Sequence, residues 1–229
     1  MHSRDSTRWN LEHALSQTGC PICQLAQKGV QRFFDGLLYE NANDAEIRRR
    51  VAAALGFCNR HAWQMRSVNG SALGMAFLNR DALNQWQRQL EQVQKPSGRG
   101  ILERFCKLAA HANRAKAKCL ACERQNEIEQ RYIETLIESL PEHDFRVALR
   151  QSEGLCRTHY ARACAAAPRA EALETLLEIQ MEINARLVAE LDEFIRKNDY
   201  RFLSEGFGAE GNAWVRAIER LAGAEGAAC

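Results

Sequence analysis

The sequence predicts an all-α fold, and three observations carry that prediction. Ala, Leu, Glu, Gln and Arg dominate, while aromatic residues make up 7% and prolines number four in 229 residues, a mixture that favours helix. Apolar residues recur at three- and four-residue steps through most of the chain. No segment alternates apolar and polar residues as a half-buried strand does.

The elements follow in order. Leu11 to Ser16 is a short amphipathic lead-in, with Trp9 and Leu11 placed to anchor it, and Gly19 breaks it. Pro21 suits the first position of a helix, where its missing N–H is no loss. That helix runs to Tyr39, with Val30, Phe33, Phe34, Leu37 and Leu38 as its apolar stripe. Asn43-Asp44 caps a helix over Ala45–Leu55, and Gly56 stops it. Cys58–Val68 is the next helix. Ser71 caps another, whose inward stripe is Met75, Leu78, Ala82, Trp86 and Leu90.

Lys95-Pro96-Ser97-Gly98-Arg99-Gly100 is the one compact Pro/Gly/Ser cluster and reads as a linker. Beyond it Ile101–Lys118 leads in, Cys122–Leu140 is a long helix ended by Pro141, and Asp144–Gln151 is a short one. Cys156–Ala166 follows. A helix starting at Pro168 has Leu173, Leu176, Ile179, Ile183, Leu187, Leu191 and Phe194 on one face. After a Gly-rich turn over 206–211, a last amphipathic helix places Trp214, Val215, Ile218 and Leu221 together.

One pattern occurs twice. Cys20-Pro21-Ile22-Cys23 precedes Gly56-Phe57-Cys58-Asn59-Arg60-His61, and Cys119-Leu120-Ala121-Cys122 precedes Gly154-Leu155-Cys156-Arg157-Thr158-His159. First to third cysteine is 38 positions in one copy (20 to 58) and 37 in the other (119 to 156). Aligned on the first cysteine, Gln31-Arg32-Phe33 falls on Gln130-Arg131-Tyr132. The expectation is a duplication: a first helical metal-binding repeat over 1–94, the linker 95–100, a second repeat over 101–197, and an arm with a helix, 198–229, packed on the bundle. Each repeat has about four helices.

Cys-x-x-Cys at a helix start puts two sulfurs on one side of a turn, where the helix dipole favours thiolate. Cys-x-x-His at another helix start adds a sulfur and an imidazole one turn apart. Brought together, they form a closed Cys3His set of the kind that binds structural Zn2+. Two zinc ions are therefore expected. The within-copy grouping is Cys20, Cys23, Cys58 and His61, then Cys119, Cys122, Cys156 and His159; exchange of partners between the copies is the alternative. Two iron–sulfur clusters are the rival cofactor. Thiol–disulfide exchange lacks its βαβ setting. Plain core packing suits Cys106 and Cys164 but does not explain a histidine three residues after the third cysteine in both copies. Cys229 also lies outside the pattern, and His2, His13, His111 and His143 read as ordinary helix or terminal residues.

The formal charge of +2 is too small for bulk attraction to nucleic acid, and Arg48-Arg49-Arg50 fans around a helix. No run of about 18 apolar residues exists for a membrane span, and the polar start, Met1 to Asn10, lacks a secretory signal. A cytoplasmic protein with reduced thiols is expected. Its function reads as a binding or adaptor module for a protein partner or small ligand; an iron–sulfur electron carrier or redox sensor is the second reading. The third is an enzyme with a cleft between the repeats. That reading needs Glu40, Asn43 and Asp44, or Tyr200 and Trp214, to line a pocket, although Asn43 and Asp44 also suit a plain helix cap.

The chain also resembles a family of uncharacterised prokaryotic helical proteins, from Cys20 to Gly223. The resemblance rests on Cys-Pro-x-Cys at 20–23, Leu-Tyr-Glu-x-x-Asn-Asp at 38–44, Gly-Phe-Cys-x-x-His at 56–61 and Ala-Leu-Gly-x-Ala at 72–76. The second Cys-x-x-Cys with Gly-Leu-Cys-x-x-His, Asn-Asp-Tyr-Arg at 198–201 and Gly-x-Glu-Gly-x-x-Trp-x-Arg-Ala at 208–217 complete it. Leu120 stands where the family has proline. The resemblance implies a bacterial cytosolic protein with two metal sites, and no activity.

Overall fold

The computed structural model describes residues 2–40, 44–94 and 119–226. The expected linker, the Ile101–Lys118 lead-in, Asn43, Cys106, His111 and Cys229 lie outside them. Every regular element among the described residues is helical: α1 (His2–Leu15), α2 (Pro21–Tyr39), α3 (Ala45–Ala53), α4 (Asn59–Arg66), α5 (Ala72–Gln94), α6 (Leu120–Ser139), α7 (His143–Gln151), α8 (Arg157–Ala166), α9 (Ala170–Lys197) and α10 (Ala213–Ala222). Two 3-10 turns, Leu203–Glu205 and Ala209–Asn212, precede α10.

Local chemistry sets the boundaries. Asp44 caps α3, its carboxylate accepting from the Ile47 N–H at 2.8 Å, so the expected cap is present. α3 stops two residues before Leu55. Leu55 itself is left-handed at φ 56°, next to Gly56 at φ 96°. α6 starts at Leu120 without a proline to open it. α4 and α8 each begin one residue after a cysteine that occupies the N-cap.

The chain forms two compact units. One comprises Met1–Gln27 and Ile128–Cys229, the other Lys28–Glu127. The cuts fall inside α2 and α6 and not at 95–100, so the units do not follow the two sequence copies. In the first unit Leu11, Ile22, Ile133, Leu136, Phe145, Leu149, Leu155, Ile179 and Ile183 form the core. In the second, Val30, Phe34, Leu37, Val51, Met65 and Leu78 do so.

Several expected core residues face outward instead. Trp86 is 48% exposed, because α5 buries Leu78 and Ala82 but turns its later residues away. Trp9 is exposed and stacks on His13, ring centroids 5.5 Å apart. On α9 the buried face is Leu176, Ile179, Ile183 and Leu187, while Leu173 is on the surface. On α10 the shared apolar side faces outward: Trp214, Val215, Ile218 and Leu221 are exposed, whereas Ala213 is buried. Arg216 and Arg220 reach inward from it, to Glu190 and to Asn184.

Candidate metal centres

Four helix starts bring the eight donors of the repeated pattern together. Cys20 and Cys119 precede α2 and α6, and Cys58 and Cys156 cap α4 and α8. Each cysteine carbonyl accepts the first i+4 bond of its helix, from Gln24, Glu123, Ala62 and Tyr160 respectively. The sulfurs thus lie at the positive ends of the helix dipoles, which stabilise thiolate.

The donors converge as two quartets, one in each unit: Cys20, Cys23, Cys156 and His159, and Cys58, His61, Cys119 and Cys122. Within each quartet the ligand atoms lie within 4.8 Å of one another. His159 Nδ1 is 3.5, 3.3 and 3.2 Å from the sulfurs of Cys20, Cys23 and Cys156. His61 Nδ1 is 3.4, 3.6 and 3.3 Å from those of Cys58, Cys119 and Cys122. The Cys23–Cys156 and Cys58–Cys122 sulfur pairs are 3.8 and 3.6 Å apart.

The within-copy grouping is therefore corrected: each Cys-x-x-Cys joins the Cys-x-x-His of the other copy. Helix length explains it. The 19 residues of α2 carry the chain about 28 Å from Cys20 at 1.5 Å per residue. The nine residues of α3 span only about 14 Å back, half that length.

Each imidazole has polar side chains beside its other nitrogen, and His159 Nε2 is buried without a hydrogen bond. His61 Nε2 lies 2.6 Å from Arg60 Nη2, a donor, and 3.2 Å from Gln125 Oε1, which also accepts from Arg60. His159 Nε2 lies 3.5 Å from Glu129 Oε1, and Glu129 pairs with Arg162. The carboxylate beside His159 Nε2 favours the tautomer with a free Nδ1 lone pair, as a metal-bound histidine requires. Sequence reading missed Gln125, Glu129, Arg60 and Arg162. The signal was available in part, since Gln125 and Glu129 lie one and two turns beyond Cys122 on the same helix.

Protonation follows crowding. Hydrogen bonds from Cys20 and Cys23 draw the Cys156 thiol far down, and the bond to Cys156 drives Cys23 up. Burial, with the neighbouring Cys119, pushes Cys122 up to about 12. Burial lowers His159, but Cys156, Cys20 and Glu129 more than offset it, to about 11. His61 is pushed down to about 4 by burial and by Arg60. Three sulfurs this close cannot all be thiolates without a cation between them. The residues present fit a bound metal ion.

The turns before the third cysteines also matter. Gly154 has φ +71°, and a Cβ there would lie 2.9 Å from Ile183 Cδ1 and 3.3 Å from an Arg220 nitrogen. Only glycine lets Leu155 and Cys156 pack against α9, where Gln180 bonds both the N–H and the C=O of Leu155.

The remaining site candidates do not converge. Asp44 is used as a helix cap, and Glu40 is exposed. Tyr200 is 82% exposed and Trp214 is on the surface of α10. Glu210 of the arm is instead buried, accepting from the Gly208 N–H and Lys197 at 2.8 and 2.7 Å. Cys164, His13 and His143 belong to neither quartet.

Residues 11–227 match DUF6062, a family of unknown function. A similar protein is the "Uncharacterized 23.9 kDa protein in xynA 3'region" of Caldicellulosiruptor sp. (strain Rt8B.4). It is 25% identical over 213 residues, covering 90% of this chain and 96% of the relative. No solved structure matches.

Proposed function

The chain belongs to DUF6062, and we propose that it is a zinc-stapled helical binding module. Each unit holds one structural Zn2+, through Cys20, Cys23, Cys156 and His159 in one and Cys58, His61, Cys119 and Cys122 in the other.

One observation carries this reading. A tetrahedral ion with Zn–S near 2.3 Å and Zn–N near 2.05 Å sets sulfurs about 3.8 Å apart and sulfur and nitrogen about 3.5 Å apart. One sulfur pair in each quartet is 3.8 or 3.6 Å apart, each sulfur is 3.2 to 3.6 Å from the imidazole nitrogen, and all four ligand atoms lie within 4.8 Å of one another. A cluster whose cysteines bind different irons would hold its sulfurs farther apart than ligands sharing one ion do, which favours a single ion over iron–sulfur. With four protein donors no coordination position is left for substrate, so the ion's task is structural.

The binding role is supported by apolar surface. Leu177, Met181, Val188 and Ile195 are exposed along α9, and Trp63, Leu73 and Trp86 are exposed in the other unit. The seven described cysteines are all free thiols, which suits a reducing, cytoplasmic setting. No helix of the described residues is long and apolar enough to cross a membrane.

Elemental analysis of purified protein, with thiol counting, tests the reading. Two zinc per chain and no absorbance near 400 nm is the expected result. A metal content near zero, or iron with sulfide, defeats it.

A further inference from the structure

The quartets share a ligand set and differ in access. Cys20, Cys23, Cys156 and His159 are all buried, whereas Cys58 and Cys122 are half-buried beside buried Cys119 and His61. The sulfurs of these two half-buried residues are also neighbours, 3.6 Å apart. Reaction of a sulfur with an oxidant in water requires approach to that sulfur. One quartet consists of buried residues alone, and the other has two adjacent cysteines that are only half-buried.

We propose that Cys58 and Cys122 form a reactive-thiol site whose substrate is a hydroperoxide, and that its oxidation discharges the ion held there while the buried quartet keeps its own. The inference rests on the zinc reading. One thiolate attacks a peroxide oxygen; the O–O bond breaks, and the leaving alkoxide takes a proton to become an alcohol (water, for hydrogen peroxide). The sulfur is now a sulfenic acid. The second thiolate attacks it, the S–S bond forms, and hydroxide leaves with a proton as water. Two thiolates, one hydroperoxide and two protons thus give a disulfide, an alcohol and water, with two electrons passing from sulfur to oxygen. Closing from 3.6 Å to a bond of about 2 Å requires that the ion no longer hold the sulfurs apart, and Cys119 and His61 remain as only two donors.

Buried and accessible quartets in one molecule provide an internal control. The test uses full-length protein loaded with two zinc ions, in a background with Cys106→Ser, Cys164→Ser and Cys229→Ser, titrated with hydrogen peroxide. A zinc-indicator dye and disulfide mapping by mass spectrometry are the readouts. One zinc per chain is expected to leave at least about tenfold faster than the second, as sulfur access dictates. A Cys58–Cys122 disulfide should form in step with it, and thiol reductant with zinc should restore the loaded state. Loss of both ions at one rate, or a first disulfide involving Cys20, Cys23 or Cys156, overturns the inference and leaves the zinc reading standing. Protein that binds no zinc before peroxide removes both.

Discussion

Cys23 and Cys156 are 133 residues apart in sequence, yet their sulfurs are 3.8 Å apart. The pairing makes substitutions in the two sequence copies equivalent. Cys23→Ser and Cys156→Ser are expected to lose the same single metal ion, and the double variant no more than that one. Cys58→Ser and Cys122→Ser should lose the other. Native mass spectrometry of the four single and two double variants reads this directly; loss of two ions from Cys23→Ser/Cys156→Ser would refute the grouping.

Much of this centre was legible in the sequence, and its connectivity was not. The eight ligands, the helix starts that bear them and the Asp44 cap follow from spacing and capping chemistry. The partner exchange needed a length comparison between α2 and α3, whose predicted extents already differed about twofold. Trp86 was misplaced for another reason, and the facing of Trp214 was not legible for the same one. Amphipathic pattern shows that a helix has an apolar face but not whether that face turns inward, and α10 buries small and arginine residues instead.

Outer-shell contacts give the second expectation. Replacing Glu129 with Gln removes the carboxylate beside His159 and the partner of Arg162. Affinity of that quartet should fall about 10- to 100-fold, with the other unchanged. Gln125→Leu should do the reverse. Competition against a graded series of chelators separates the two ions, and equal weakening of both by Glu129→Gln would count against the assignment.

Removing the metal should cost structure as well as ions, since binding energy at such sites is folding energy. Prolonged treatment with a strong chelator and thiol reductant is expected to lower the thermal midpoint and helical circular dichroism, with recovery on adding zinc. An unchanged melting curve in verified metal-free protein would show that the helices hold without the ions.

Gly154 and Gly206 give a matched pair for backbone strain. Both have positive φ, but a Cβ at Gly206 meets nothing within 4 Å, whereas one at Gly154 meets Ile183 at 2.9 Å. Gly206→Ala should destabilise by about 1–3 kcal/mol, the cost of a glycine-only backbone conformation alone, with φ 67° and ψ 168°. Gly154→Ala should cost about 1–3 kcal/mol more, the range for overpacking a well-filled site. Equal denaturation midpoints for the two would contradict the close approach.

Glu210 sets an acid limb. Its carboxyl is lowered from 4.5 to about 2 by the Gly208 N–H and Lys197. A group depressed on folding stabilises the native state above its unfolded pKa and loses that contribution as pH falls through the folded one. The stability difference between wild type and Glu210→Gln should thus be full above about pH 4.5 and shrink toward pH 2. Paired urea melts across that interval measure it; a difference that stays constant with pH would exclude the ionised form as the source.

Because the units interleave along the chain, assembly has an imposed order during synthesis. The ligands of one quartet are all made by Cys122, but the other waits for His159, 136 positions after Cys23. At 5–20 residues per second Cys23 emerges roughly 7–27 s before its last ligand. Through that interval the earliest thiol pair is an open claw on the ribosome, and a gene cut at residue 100 would encode two half-sites and no complete one.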